Sequence, residues 1–348
     1  MRSLSAQFSL SKLPSHITTA YSQLKQDLLS LNEIPIGSIG TLVEKQCNPQ
    51  SPKKYLYRAY SNPTGKKVFD LVAAVEQQDK VQKALQDHAF FKEAKTTLKS
   101  LAGAGYPMAD KSAVELLAGL FNHGLVGATE QTMVLVGTTA YCALLSDLGL
   151  KATAIMTRDL DLAVTRDIDL ASTESFEKIV KQTMPDFFAV PGMPSHEPST
   201  SLKGRGANAM RIDVLRDGAQ LGKALPVRSL AWHAQAIPHL NWLVENPRVC
   251  LVLSSVKAVP VRAPDPIRFA FHKAFCATNR SAIDADKSSK DREQSLALLD
   301  YLQTNQSEEL IEEFELAPQP VQHAVKRLLP NPPDWLEQAL PNKHRPKS

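Results

Sequence analysis

The sequence predicts an α+β protein in three parts. Three observations carry that expectation: strand-like apolar runs alternate with helical patterns in the middle of the chain, the pattern is entirely helical beyond Ala263, and Gly/Pro-rich breaks set an N-terminal arm apart. The 348 residues are 43% hydrophobic and 22% charged, the balance of a folded chain. At roughly 100 to 200 residues per domain, that length suits two or three structural units.

In the arm, residues 1–107, a helix is followed by a β element and a second helix. Gly37 to Val43 and Lys54 to Tyr60 alternate as a half-exposed hairpin does, with Asn48-Pro49 and Ser51-Pro52 between them as turn material. A long helical pattern then runs from about Lys67 to Leu101 and ends at Gly103, Gly105 and Pro107.

The middle part, residues 108–263, opens with a helix whose Ser112 and Glu115 have the spacing of a capping box and which stops near Gly124. Met133 to Val136 reads as a buried strand. Gly137 breaks it, and Thr139 to Leu148 continues as a helix closed by Gly149. Strands follow at 158–164, 187–190, 209–215, 249–253 and 258–261, with a helix capped by Ser172 running to about Met184 and an exposed loop from Pro191 to Gly206.

In the last part, residues 264–340, Asp265-Pro266 is an N-cap followed by a proline at the first helical position, where its missing amide costs nothing. That helix extends to about Arg280, and three more cover roughly 289–303, 307–316 and 320–329. Pro330 to Ser348 holds one amphipathic turn around Trp335 and a basic tip.

Net charge is only +4, which hides an asymmetry. Residues 1–67 carry nine basic side chains against three acidic ones, and the remainder is slightly acidic. A basic arm is a reason to consider a polyanionic partner, the alternative being an ordinary solvated surface. Cys47, Cys142, Cys250 and Cys276 lie far apart with no CxxC pair, so neither a disulfide framework nor structural zinc is expected. Met133 to Leu150, the most apolar stretch, is interrupted by Gly137 and by Thr138, Thr139, Ser146 and Asp147, and is not a membrane span. The first 25 residues are Ser-rich without acids but contain a single Arg and no cleavable apolar core, so a cytoplasmic location is expected.

The chemistry concentrates in Thr157-Arg-Asp-Leu-Asp-Leu-Ala-Val164. Alternation along a strand puts Asp159 and Asp161 on one face and Leu160, Leu162 and Val164 on the other. Paired carboxylates repel unless a cation lies between them, and hard oxygen ligands suit Mg²⁺. Asp167-x-Asp169 and Asp284-x-Asp286 repeat the pattern, and the first pair is preferred because it follows the Gly137 helix directly and has a continuous apolar backing. Val134-Leu-Val-Gly-Thr-Thr supplies a strand, a glycine, a hydroxyl and a helix N-terminus, which together can cradle phosphate; the alternative is a tight turn without a ligand. A third carboxylate, Asp213, sits in a strand pattern between Ile212 and Val214, where it either completes a two-metal site or pairs with Arg211, Arg158 or Arg205.

Gly137-Thr138, then Asp159-x-Asp161, then Asp213 on a later strand resembles the metal-binding pattern of the DNA polymerase β nucleotidyltransferase superfamily. With Phe269-Ala-Phe-His-Lys273, Arg280 and Lys290-Asp291, the chain looks like a bacterial nucleotidyltransferase-like branch related to the toxins of abortive-infection toxin–antitoxin systems. The resemblance covers about residues 110–303, and departs from the pattern at Thr138, where Gly or Ser is usual. It implies a polymerase β-like mixed sheet flanked by helices, a two-metal Mg²⁺ site on Asp159, Asp161 and Asp213, and an NTP such as ATP held by Gly137, Thr138, Lys273 and Arg280, with Asp291 orienting a cation. Lys273 and Arg280, seven apart, are expected on one helix face; the alternative is an exposed ion-pair network with Asp291. The implied reaction moves an NMP to an acceptor hydroxyl of an RNA or tRNA end or a protein side chain. A toxin-like role and a protein partner are further implications. Lys53 to Tyr60 with Lys66-Lys67 interleaves cations with tyrosines, which suits a single-stranded RNA or tRNA acceptor, or else an edge strand protected by lysines. The competing functional class is a catalytically silent nucleic-acid-binding or antitoxin-like partner that keeps the fold.

Overall fold

The computed structural model describes residues 10–339 apart from 49, 63–64, 152–156, 166–173, 193, 195, 207–208 and 281–284. Asp167, Asp169, Ser172, Asp284 and the basic tip lie outside the described residues. The arm contains β1 (Ser11–Lys12), α1 (Ser15–Leu29), β2 (Thr41–Gln46), β3 (Lys54–Ser61), β4 (Lys67–Ala74) and α2 (Gln78–Ala104). Next come α3 (Lys111–Asn122), β5 (Val134–Val136), α4 (Gly137–Asp147), β6 (Leu150–Lys151), β7 (Asp159–Val164), α5 (Phe176–Thr183), β8 (Phe188–Ala189), β9 (Ser201–Lys203) and β10 (Arg211–Asp217). They are followed by β11 (Ala224–Val227), β12 (Trp232–Ile237), α6 (Leu240–Leu243), β13 (Arg248–Leu253) and β14 (Ala258–Ala263). The chain then continues as α7 (Pro266–Asn279), α8 (Ala285–Asn305), α9 (Ser307–Leu316), α10 (Gln319–Leu328) and α11 (Asp334–Ala339). This is the α+β class the sequence predicts.

The central sheet is mixed, with the order β11-β12-β10-β7-β5-β14-β13. β7 and β10 run parallel, β5 is antiparallel to β7, and β9 joins β10 at its start. Leu160, Leu162, Ile212 and Val214 are fully buried on the opposite face from the aspartates. Each contributes roughly 1.5–3 kcal/mol by leaving water, which fixes the register, since a slip of one residue would turn the carboxylates into the apolar core and the leucines out of it. A second core, built from Tyr21, Leu24, Leu28, Leu98 and Leu101 with Leu251 and Leu253, fastens α1 and α2 to β13. In the C-terminal bundle, Phe271 lies between Phe314 and Trp335, with ring centroids 5.9 Å from each.

Several local expectations are corrected. The helix expected from Lys67 begins only at Gln78, because 67–74 pairs with β3 across a turn closed by Asn62 and Gly65, so the hairpin is a three-stranded sheet. The cap of α3 is Asp110, which accepts from the Ser112 amide at 2.8 Å. Glu115 turns away to the Gly37 amide and to Lys257 at 2.6 Å, so there is no capping box. Ser175 caps α5. The stretch 191–206 expected as a loop contains β9, and β11 and β12 extend the sheet beyond β10. The four cysteines are all free. Among the described residues no helix is long and apolar enough to cross a membrane.

Candidate active site

Val136 ends β5 in extended conformation and Gly137 starts α4 with φ +69°. Glycine is required here twice over: the left-handed φ strains any other residue, and a Cβ would overlap the Asp161 carboxylate. Among the described residues no side chain caps α4, and its first turn contains no acid, so the amides at its N-terminus are available to an anion. Thr138 is buried in that turn, and the Thr139 hydroxyl donates to the Asp159 carbonyl at 3.3 Å, tying the turn to β7.

Strand register assembles the carboxylates. Asp161 is paired with Val136 on one side and with Asp213 on the other, and Asp159 stands two residues earlier on the same face of β7. Among the described residues, neither the Asp159 nor the Asp161 carboxylate has a hydrogen-bond or ion-pair partner. Burial, and then the negative charges of Asp213 and Asp159, push the Asp161 carboxyl up from its ordinary 3.8 to about 7, with Lys273 opposing the shift. Asp213 is only 9% exposed. Its Oδ1 accepts from Arg211 Nε at 2.9 Å and from the Ser201 hydroxyl, which Arg211 also holds at 2.7 Å. Arg211 is thus the partner the sequence allowed for Asp213, while Arg158 and Arg205 line a separate cavity of about 530 Å³ with Phe187 and Met210.

The helical block closes on the same place. Lys273 donates to Asp291 Oδ1 at 2.5 Å and Arg280 Nε to Asp291 Oδ2 at 2.8 Å. This is the ion-pair alternative, but it is buried, with Asp291 3% exposed. Arg280 does not share a helical face with Lys273: α7 ends at Asn279 and Arg280 is its extended C-cap. A nucleotidyltransferase family model matches residues 112–318, the segment from α3 through α9 that contains all of these side chains.

The chain belongs to this nucleotidyltransferase family, and it is an enzyme of that kind. No curated protein matches it. One solved structure, an antigenic nucleotidyltransferase-like protein from Paracoccidioides brasiliensis, is similar at 16% identity over 60% of this chain and 83% of that one, with a TM-score of 0.32. A likeness of that size carries no argument about this chain.

Three further residues of the nucleotidyltransferase face the site: Gln294 and Ser201, which the sequence reading does not single out, and Lys290, which it quotes in the Lys290-Asp291 motif without assigning it a role. Gln294, buried on α8, donates to the Thr138 hydroxyl at 3.5 Å and leaves its own Oε1 buried without a partner. It lies three residues after Asp291, a spacing that places both on one helix face. Lys290 is half-buried, and burial followed by the neighbouring Lys273 lowers its ammonium below the ordinary 10.5, with Asp159 and Asp291 opposing. Ser201 had no signal, lying in a stretch composed like a loop. Among the described residues no three Asp, Glu, His or Cys side chains form a ready-made metal cage. The donor chemistry nevertheless fits a hard divalent cation: among the described residues two carboxylates have no partner, and beside them Asp213 accepts its hydrogen bonds at Oδ1.

Proposed function

We propose that this nucleotidyltransferase moves a nucleoside monophosphate from an NTP to an acceptor hydroxyl in a Mg²⁺-dependent reaction. The observation that carries the proposal is the unpartnered Asp159–Asp161 pair set against the uncapped N-terminus of α4. Asp159, Asp161 and Asp213 would hold Mg²⁺, which when bound supplies positive charge to the phosphate oxygens. The Gly137 and Thr138 amides and the Thr138 hydroxyl bind and orient the triphosphate, with Gln294 positioning that hydroxyl. Lys290 and Lys273 place cationic charge where the departing pyrophosphate gains negative charge. The acceptor oxygen attacks the α-phosphorus, the bond to the bridging α–β oxygen breaks, pyrophosphate leaves, and the acceptor proton passes to solvent water with the help of the Asp213 carboxylate.

An Asp159→Ala protein should fold with an unchanged melting profile and lose transfer of label from NTP. Undiminished turnover in that variant refutes the assignment. The internal pairing of Asp213 with Arg211 and of Lys273 and Arg280 with Asp291 favours a second reading, a silent binding partner that keeps the fold. That reading requires NTP or nucleic-acid binding without any transfer, indifferent to Asp159→Ala. A toxin-like role follows from the resemblance of the motifs, and predicts growth arrest on expression of the wild type but not of Asp159→Ala.

A further inference from the structure

We propose that the outer face of the β2–β3–β4 sheet is a platform for single-stranded RNA, and that the acceptor is held there. The word acceptor rests on the transferase reading; the binding itself does not. Lys53 to Tyr60 looks like one basic–aromatic segment in the sequence, but the strand splits it between two faces. Leu56, Arg58 and Tyr60 point inward. Leu56 is buried, and Arg58 donates to the Ile36 carbonyl at 3.0 Å, pairs with Asp70 at 3.4 Å and stacks 3.8 Å from the Tyr60 ring. These side chains are occupied in holding the sheet together.

The outer face is assembled from all three strands. Cross-strand pairs place Val43, Tyr57 and Leu71 in one row, Thr41, Ala59 and Phe69 in the next, and Lys45 beside Tyr55. Phe69 is 43% exposed and Leu71 59%. Lys45 Nζ sits 3.3 Å from the centre of the Phe69 ring and Lys67 Nζ 5.8 Å from it. Tyr57 is held at its hydroxyl by Cys47 Sγ at 2.7 Å, which limits the freedom its ring would lose on stacking. The acids of these strands, Glu44 and Asp70, belong to the opposite face by the same register.

Lysines on edge strands are explained by protection against aggregation, but an exposed Phe69 and Leu71 on edge strand β4 increase that hazard. A face that combines partly exposed aromatic rings with lysines, one of them already seated on Phe69, and that has no carboxylate from its own strands is complementary to a polyanion carrying flat apolar groups. Single-stranded RNA has that chemistry, because its unpaired bases can stack on rings while its phosphates meet the lysines. A duplex hides its bases.

The test uses the full-length protein and a fluorescein-labelled RNA of mixed sequence, about 20 nucleotides long to exceed one stacking site, with binding read by anisotropy over a range of KCl. The wild type should bind, and Phe69→Ala and Tyr57→Ala should each weaken binding about tenfold. Lys45→Gln should flatten the plot of log affinity against log salt by about 0.7. The same RNA annealed to its complement should bind markedly less. Phe69 and Lys45 are exposed, so these two variants should keep the wild-type melting temperature and remain decisive even where Tyr57→Ala is destabilised. No binding by the wild type, undiminished affinity in Phe69→Ala, or equal binding of the duplex overturns the proposal. RNA binding lost in Phe69→Ala, in a protein that transfers no label, sinks the transferase reading alone. Label transfer to RNA with an unchanged KM for RNA in Phe69→Ala sinks the platform alone.

Discussion

Replacing Asp161 with Asn should stabilise the metal-free protein at alkaline pH while abolishing its activity. The Asp161 carboxyl titrates near 7 against an ordinary 3.8, so ionising it in the folded chain is unfavourable by about three pH units, and at 1.36 kcal/mol per unit the strain approaches about 4 kcal/mol. The sign follows from proton counting. Between the two values the unfolded chain has released the proton and the folded chain retains it, so the Asp161 contribution to wild-type stability falls as pH rises from about 4 to about 7 and then levels. Asn fills the same space and never ionises. Urea unfolding in EDTA should therefore give matching stabilities for wild type and Asp161→Asn near pH 4, with the variant ahead by up to about 4 kcal/mol near pH 8. Adding Mg²⁺ should reverse the order, raising the wild type and leaving the variant unmoved. A variant less stable than wild type in EDTA at the alkaline end, or a difference that does not change with pH, refutes the reasoning.

Gly137→Ala should reduce transfer by more than about a hundredfold, with a stability loss of about 1–3 kcal/mol from the strained φ, because the new methyl group displaces the Asp161 carboxylate; kinetics and calorimetry on one sample separate the two effects. Burial lowers His272 from 6.5 to about 4, its ring held by the Pro238 carbonyl at 3.3 Å. The His272 contribution to stability is therefore lost, by about 3 kcal/mol, as pH drops from about 6.5 to about 4, opposing the Asp161 contribution over the same range, so the difference in urea-unfolding stability between wild type and His272→Gln should shift by that amount against the wild type across the window. Asp291→Ala leaves Lys273 buried without its carboxylate and should cost about 3–5 kcal/mol in urea unfolding, with Arg280 freed toward solvent.

How much of this was legible in the sequence depended on the range of the forces involved. Asp159 and Asp161 could be placed on one face from alternation alone, and the break at Gly137 from its residue type, because both are local. The neighbour relation between Asp161 and Asp213 could be suspected but not read, since it depends on the register of two strands about fifty residues apart. β4 was absorbed into the following helix because Lys67 to Ala74 has no internal punctuation; only pairing with β3 makes it a strand. β11 is short and carries Pro226, which a strand accommodates at the edge of the sheet, where β11 lies. The basic–aromatic segment was visible, but its division into two faces required knowing the partners of β3. Gln294 and Ser201 had no local signature, as each acquires its place from the side chain it meets in the fold, Thr138 and Asp213 respectively.

The most direct test of the central claim compares transfer from NTPs labelled at the α-phosphate with transfer from NTPs labelled at the γ-phosphate, in the presence of Mg²⁺ and RNA or protein acceptors. Nucleotidyl transfer predicts acceptor labelling from the α-position only, with release of pyrophosphate and no labelling by Asp159→Ala. Labelling from the γ-position, or α-labelling that persists in Asp159→Ala, would contradict the account.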